Sequence, residues 1–142
     1  MRRSMLFLLS LVLLFSSSCD NTADIYPHNS DWSFEIGQGY EVWHINSDTI
    51  VFGKKDGQYT LSTIVASYVS AFRYNEDYAL VERLPEGRGS ETKEYYIVDL
   101  MHGTVFGPLC ESALETELSS HNIGVMCEWI YTSPQPEGST LS

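Results

Sequence analysis

WSFEIGQGYEVWHI, residues 32 to 45, decides how the rest of the chain reads. Trp32, Phe34 and Ile36 recur at every second position with Ser33 and Glu35 between them, the period of a half-buried strand. Gly37-Gln38-Gly39 breaks the pattern, and residues 40–45 resume an extended run. The same rhythm continues downstream. Asn46-Ser47-Asp48 turns into TIVFGKK (49–55), and Asp56-Gly57 is a hairpin signal. QYTLSTIVASYVSAFRY (58–74) gives two short runs with a bend near Ser67. Asn75-Glu76-Asp77 turns into YALVERL (78–84), and PEGRGSET (85–92) is a loop. KEYYIVDL (93–100), the tight turn Met101-His102-Gly103 and TVFGPL (104–109) follow. Tyr, Val, Ile, Phe and Thr dominate these runs, as strands require.

One helix is expected late in the chain. Pro108 is read as ending the last long strand, and Ser112-Ala113-Leu114-Glu115 matches a capping box. Glu111, Glu115 and Glu117 suit the positive end of a helix dipole. Ala113, Leu114 and Leu118 form its apolar stripe, and Asn122 and Gly124 are stop signals. VMCEWIY (125–131) reads as a closing strand. The expected fold class is α+β, mainly antiparallel β-sheet in one or two layers, with one C-terminal helix. The domain is placed at residues 32–131. Residues 132–142, TSPQPEGSTLS, are polar, interrupted by proline and expected to be disordered.

The first eighteen residues read differently. Arg2 and Arg3 precede an eleven-residue apolar run (5–15), then Ser16-Ser17-Ser18 and Cys19. A positive start, a short apolar stretch and small residues make a secretory signal. The run is too short to span a bilayer, which takes about 20 apolar residues. With its cysteine the leader resembles those of bacterial lipoproteins, although Ser16 stands where leucine is usual. The resemblance implies cleavage after Ser18 and a diacylglycerol thioether on Cys19. An ordinary signal-peptidase cut falls at the same bond. Residues 19–31 then form a lipid-anchored tether, polar and broken by Pro27, and acyl chains contribute about 0.8 kcal/mol per buried CH₂.

The 142 residues carry eight bases and nineteen acids, a formal charge of −11. Cleavage after Ser18 leaves 124 residues and six bases, lowering the charge to −13. Such a surface excludes nucleic acid as a partner, because both are polyanions. Solubility alone accounts for it, and cationic partners remain compatible.

YALVERL, then YYIVDLMHGTVFGPL, then a helix make residues 40–123 similar to a family of short bacterial lipoproteins of unknown function. Cys110 stands where such sequences more usually have Thr or Ser. The resemblance implies a cell-envelope lipoprotein and no particular reaction.

Candidate chemistry is sparse. Three cysteines, Cys19, Cys110 and Cys127, leave an even pair once Cys19 carries lipid. A Cys110–Cys127 disulfide tying the helix to the last strand is expected in an oxidising compartment. Two free thiols, or a reactive Cys110 near the helix start, are the alternatives. Asp99 is expected to hold turn amides. His28, His44, His102 and His121 lack metal-ligand spacing, so no metal site or cofactor is assigned. Glu82, Glu86, Glu91 and Glu94 flank the 85–92 loop and are read as a solvated face. Neither a phosphate-binding glycine loop nor G-x-S-x-G occurs, and no catalytic residue is assigned. The expected role is a non-enzymatic, membrane-anchored envelope lipoprotein that binds an envelope protein, with Tyr95 or Tyr96 exposed on a strand face. The rivals are an envelope hydrolase using carboxylates or a Cys/His pair, and an acidic inhibitor of a cationic protein.

Overall fold

The structure, a computed structural model, describes residues 32–141. The strands are β1 (Trp32–Gly37), β2 (Tyr40–Asn46), β3 (Thr49–Lys55), β4 (Leu61–Val65), β5 (Val69–Tyr74), β6 (Tyr78–Arg83), β7 (Glu94–Asp99) and β8 (Val105–Leu109). Helix α1 (Glu111–Ser120) follows, then the two-residue strands β9 (Ile130–Tyr131) and β10 (Thr140–Leu141). They form two antiparallel five-stranded sheets, ordered β10-β1-β2-β3-β4 and β8-β7-β6-β5-β9. The expected fold class holds.

Hairpins between sequence neighbours build both sheets, and local chemistry sets their turns. Gly37, Gln38 and Gly39 take φ of 133°, 54° and 80°, so the alternation of β1 must stop there. Asparagine closes two further turns. Asn46 Oδ1 accepts the Asp48 N–H at 2.9 Å, and Asn75 Oδ1 accepts those of Asp77 and Tyr78 at 3.0 and 2.8 Å. The bend near Ser67 is where the chain leaves the first sheet for the second. There the Arg83 Nε–H donates to the Ala66 and Ser67 carbonyls at 3.1 and 3.0 Å. Glu94 Oε2 holds the same guanidinium at 2.7 Å, so an ion pair pins the corner.

The main core lies between the sheets. Val42, Ile50 and Phe52 from one side meet Val69, Val81 and Val98 from the other. Phe34 meets Phe72 edge-on, ring centroids 5.1 Å apart at 61°. A second cluster covers the outer face of the β5–β8 sheet, where Leu80, Tyr95 and Ile97 lie beneath Leu114 and Leu118 of α1 and beneath Met126 and Trp129. The order of layers is therefore sheet, sheet, helix. On the outer face of the first sheet Trp43, Val51 and Leu61 cluster. Glu41 is buried beside them because its carboxylate accepts the Trp43 Nε1–H at 2.5 Å and the Lys55 ammonium at 3.2 Å.

Four expectations at the C-terminal end need correction. Helix α1 begins two residues early: Cys110 is its N-cap, in extended conformation (φ −80°, ψ 167°) with no side-chain cap. Cys110 O accepts the Leu114 N–H at 2.9 Å, so helical bonding has started before Ser112 can cap it. Pro108 lies inside β8 rather than beyond it. An edge strand pairs on one side only, so the missing N–H is tolerated there. Of VMCEWIY only Ile130 and Tyr131 are strand, since Met126 and Trp129 are used to roof the sheet. Finally, the folded unit does not stop at 131. Thr132 Oγ1 donates to the Val69 and Ser70 carbonyls at 3.0 and 3.1 Å, and β10 pairs with β1. The polar tail is ordered by backbone groups of strand edges, which composition does not reveal.

Candidate functional site

The helix and the 121–129 segment do not roof the outer face of the β5–β8 sheet completely. A cleft of about 440 Å³ opens between the start of α1 and β9, within the usual size range of small-ligand sites, about 300–1,000 Å³. Sheet register builds its floor. Glu82 pairs with Ala71 on one side and Tyr95 on the other, and Arg73 pairs with Leu80. Period-2 alternation therefore aims Arg73, Glu82 and Tyr95 outward, while Phe72 and Val81 enter the core.

Charge inside the cleft is organised. Glu82 is only 7% exposed. Ser70 Oγ donates to its Oε1 at 2.9 Å, and Lys93 Nζ lies 3.0 Å from its Oε2. The bond to Glu82 holds the Lys93 ammonium above its ordinary value. Burial, with the Glu82 and Glu111 carboxylates nearby, pushes the Tyr95 hydroxyl up as well. Arg73 is treated differently. Its guanidinium carbon lies 4.9 Å from the Trp129 ring centroid. Its Nε is buried without a hydrogen-bond partner, and among the described residues it makes no ion pair. A second depression, about 240 Å³, shares Arg73 and Leu118 and is otherwise lined by residues 123–126.

The residues singled out from the sequence mostly lie elsewhere. Cys19 and His28 fall outside the described residues. Asp99 does hold its turn: Oδ1 accepts the Met101 and His102 N–H groups at 2.9 and 2.8 Å. Those amide bonds, His102 first, hold its carboxyl below the usual range, aided by His102 Nδ1 at 2.9 Å from Oδ2. His44 stacks on Trp32, and His121 meets Glu117 at 3.1 Å and the Phe106 ring. Among the described residues no three His, Cys, Asp or Glu side chains cluster as metal ligands do. The glutamates are dispersed. Glu82 faces the cleft, Glu94 sits on the opposite face with Arg83, and Glu86 and Glu91 lie exposed in the loop. Tyr95 and Tyr96 are not an exposed pair. Tyr95 is buried under α1 and Tyr96 is half-buried against the inter-sheet core, because this sheet is covered on both faces.

The structure does not join Cys110 to Cys127; both are exposed free thiols. Cys110 follows Leu109 on β8, whereas the Cys127 N–H bonds to the Tyr74 carbonyl on β5 at 2.9 Å. Three strand spacings separate β8 from β5, ~14 Å at about 4.8 Å each, and a bridge needs Cα atoms within roughly 7 Å. The Ser112 hydroxyl and then the Ala113 amide lower the Cys110 thiol pKa. Alkylation of unreduced protein with iodoacetamide at neutral pH is therefore expected to label both thiols, Cys110 first, by peptide mapping. Faster labelling of Cys127, or an unlabelled pair released only by reductant, contradicts this placement.

Arg73, Lys93, Trp129 and Tyr131 line the cleft and were not singled out from the sequence. The available signal was Arg73 itself, a base inside the largely apolar run VSAFRY. Trp129 and Tyr131 carried none, because their place depends on how the segment after α1 folds back.

No helix among the described residues is long and apolar enough to cross a membrane. No curated protein and no solved structure matches the chain. A family does. Residues 37–130, which hold the sandwich from the first turn to β9, match the family described as "Protein of unknown function (DUF3997)". That span exceeds half of the chain, which belongs to this family.

Proposed function

We propose that the protein is a cell-envelope lipoprotein, exported by its leader, anchored by acyl chains on Cys19 and leashed by residues 20–31. Its folded domain acts as a binding module rather than an enzyme, and the cleft beside α1 is its ligand site. The leader and Cys19 support the address. The cleft supports the role: its buried carboxylate, Glu82, is engaged by Ser70 and Lys93, and the cleft offers recognition groups instead of a free base beside a nucleophile. A solvated acidic surface suits a domain held at a membrane, because it resists self-association.

The address is tested by intact-mass analysis of the exported product and by fractionation. The expected product begins at Cys19, carries a lipid adduct and partitions with membranes, and Cys19→Ala moves it to the soluble fraction. A bare amino terminus in the wild-type product overturns the anchor. The role is tested by pull-down of the anchored protein from detergent-solubilised envelopes. A saturable partner lost on filling the cleft supports it, and none at any loading removes it.

A further inference from the structure

Arg73 has an unusual position for a base in this chain. Nineteen acids surround eight bases in the sequence. Lys55, Arg83 and Lys93 each hold a carboxylate within 3.2 Å, and Lys54 and Arg88 lie over the Tyr40 and Tyr68 rings, but among the described bases only Arg73 has a nitrogen both enclosed and unpartnered. Arg73 lines the cleft with its guanidinium over the Trp129 ring, and its side chain makes no hydrogen bond or ion pair among the described residues. A guanidinium held over an aromatic ring keeps its terminal amino groups as donors, which can receive a carboxylate through two parallel hydrogen bonds. The Arg73 Nε is enclosed, whereas the two terminal amino groups are neither enclosed nor hydrogen-bonded among the described residues, so they are the donors that a carboxylate in the cleft reaches.

The remaining charges of the cleft narrow the ligand further. Lys93 and Glu82 neutralise one another. What is left is Arg73 as the positive pole, with Glu111 and Glu115 of the first helical turns as the negative one. A dianion such as phosphate would meet those two carboxylates and be repelled. A zwitterion satisfies both poles. Leu114, Leu118, Trp129 and Tyr131 add apolar and aromatic wall between them.

We propose that the cleft binds an amino acid or short peptide, its terminal carboxylate held by Arg73 and its ammonium group turned toward Glu111 and Glu115. This rests on the reading of the domain as a binding module and names its ligand class. Arg73 is the specificity-determining residue, and Trp129 holds it in place.

The test uses the anchored protein in detergent micelles, following the nitrogen–proton signals of the Arg73 Nε and the Trp129 indole. The probes are glycyl-phenylalanine, its C-terminal amide, its N-acetyl derivative and inorganic phosphate. Glycyl-phenylalanine is expected to shift both signals saturably. The amide is expected to bind at least roughly tenfold more weakly, and the N-acetyl form several-fold more weakly. Arg73→Lys, which keeps the charge and loses the fork, is expected to weaken the dipeptide roughly tenfold. The comparison among probes needs no variant, so it stands even where a substitution disturbs folding. Equal binding of dipeptide and amide, binding of phosphate in preference to the dipeptide, or no shift up to about 10 mM overturns the proposal. A pulled-down partner whose capture ignores Arg73→Lys also overturns it, while leaving the binding-module reading intact.

Discussion

Phe72→Ala is expected to cost the domain about 3–5 kcal/mol, a large share of its stability. Phe72 is fully buried at the centre of β5, paired with Val81 on β6 and Ile130 on β9. Its ring bridges the two sheets through the edge contact with Phe34. Truncation removes the apolar area, leaves a cavity that two paired sheets cannot close, and loses an aromatic contact worth roughly 0.5–1.5 kcal/mol. Domains of this size hold about 5–15 kcal/mol in total. The variant should therefore unfold at much lower urea, read by Trp fluorescence, with Phe72→Leu falling between it and wild type. A midpoint within a few tenths molar of wild type would mean that the sheets do not pack through this residue.

Gly53→Ala is the second large effect, and it is invisible to any count of lost contacts. A Cβ at position 53 would collide with the Ser62 carbonyl oxygen and lie 2.9 Å from Leu61 Cγ. Both belong to β4, which pairs antiparallel with β3 and whose register shifts between Phe52 and Gly53. Backbone cannot yield as a surface side chain does, so β4 must be displaced and Leu61 withdrawn from Trp43 and Val51. A cost of about 3 kcal/mol follows from overpacking of this kind, or roughly 10–20 °C in melting temperature. Gly89→Ala is the control. It meets nothing within 4 Å and its φ is ordinary, so it should be neutral or slightly stabilising through the unfolded chain. Equal melting temperatures for the two variants would show that β3 and β4 are not this close.

Strand by strand, the fold was legible because its elements obey local rules. Alternation located β1 to β7, and the Asn, Asp and Gly turns placed their ends. The bend at Ser67 was visible as a break between two apolar runs. What marks it as the corner between sheets, the Arg83–Glu94 pair, joins residues eleven apart across a hairpin. Pattern reading failed where distant backbone set the outcome. Thr132 and residues 140–141 look like a loose polar tail and are held by β5 and β1. Ser112 has the right spacing for a cap, but helical bonding has already begun at Cys110, whose carbonyl accepts the Leu114 N–H. The cleft was the least legible part. Glu82 could be named, but its partner Lys93 lies across a hairpin, and the stacking of Arg73 on Trp129 joins residues fifty-six apart. The expectation of a solvated glutamate face failed at Glu82 because α1 and its following segment shelter that side of the sheet.

The rims of the two sheets have a consequence for crowding. Any strand with a bare flank invites a neighbouring molecule to continue the ladder. Here β9 and β10 offer only two residues each, β8 carries Pro108 with no amide proton, and β4 is five residues long with Ser62 and Thr63 facing water. Copies concentrated on one surface would thus find little to stitch onto, and the domain can be displayed densely without seeding fibrils.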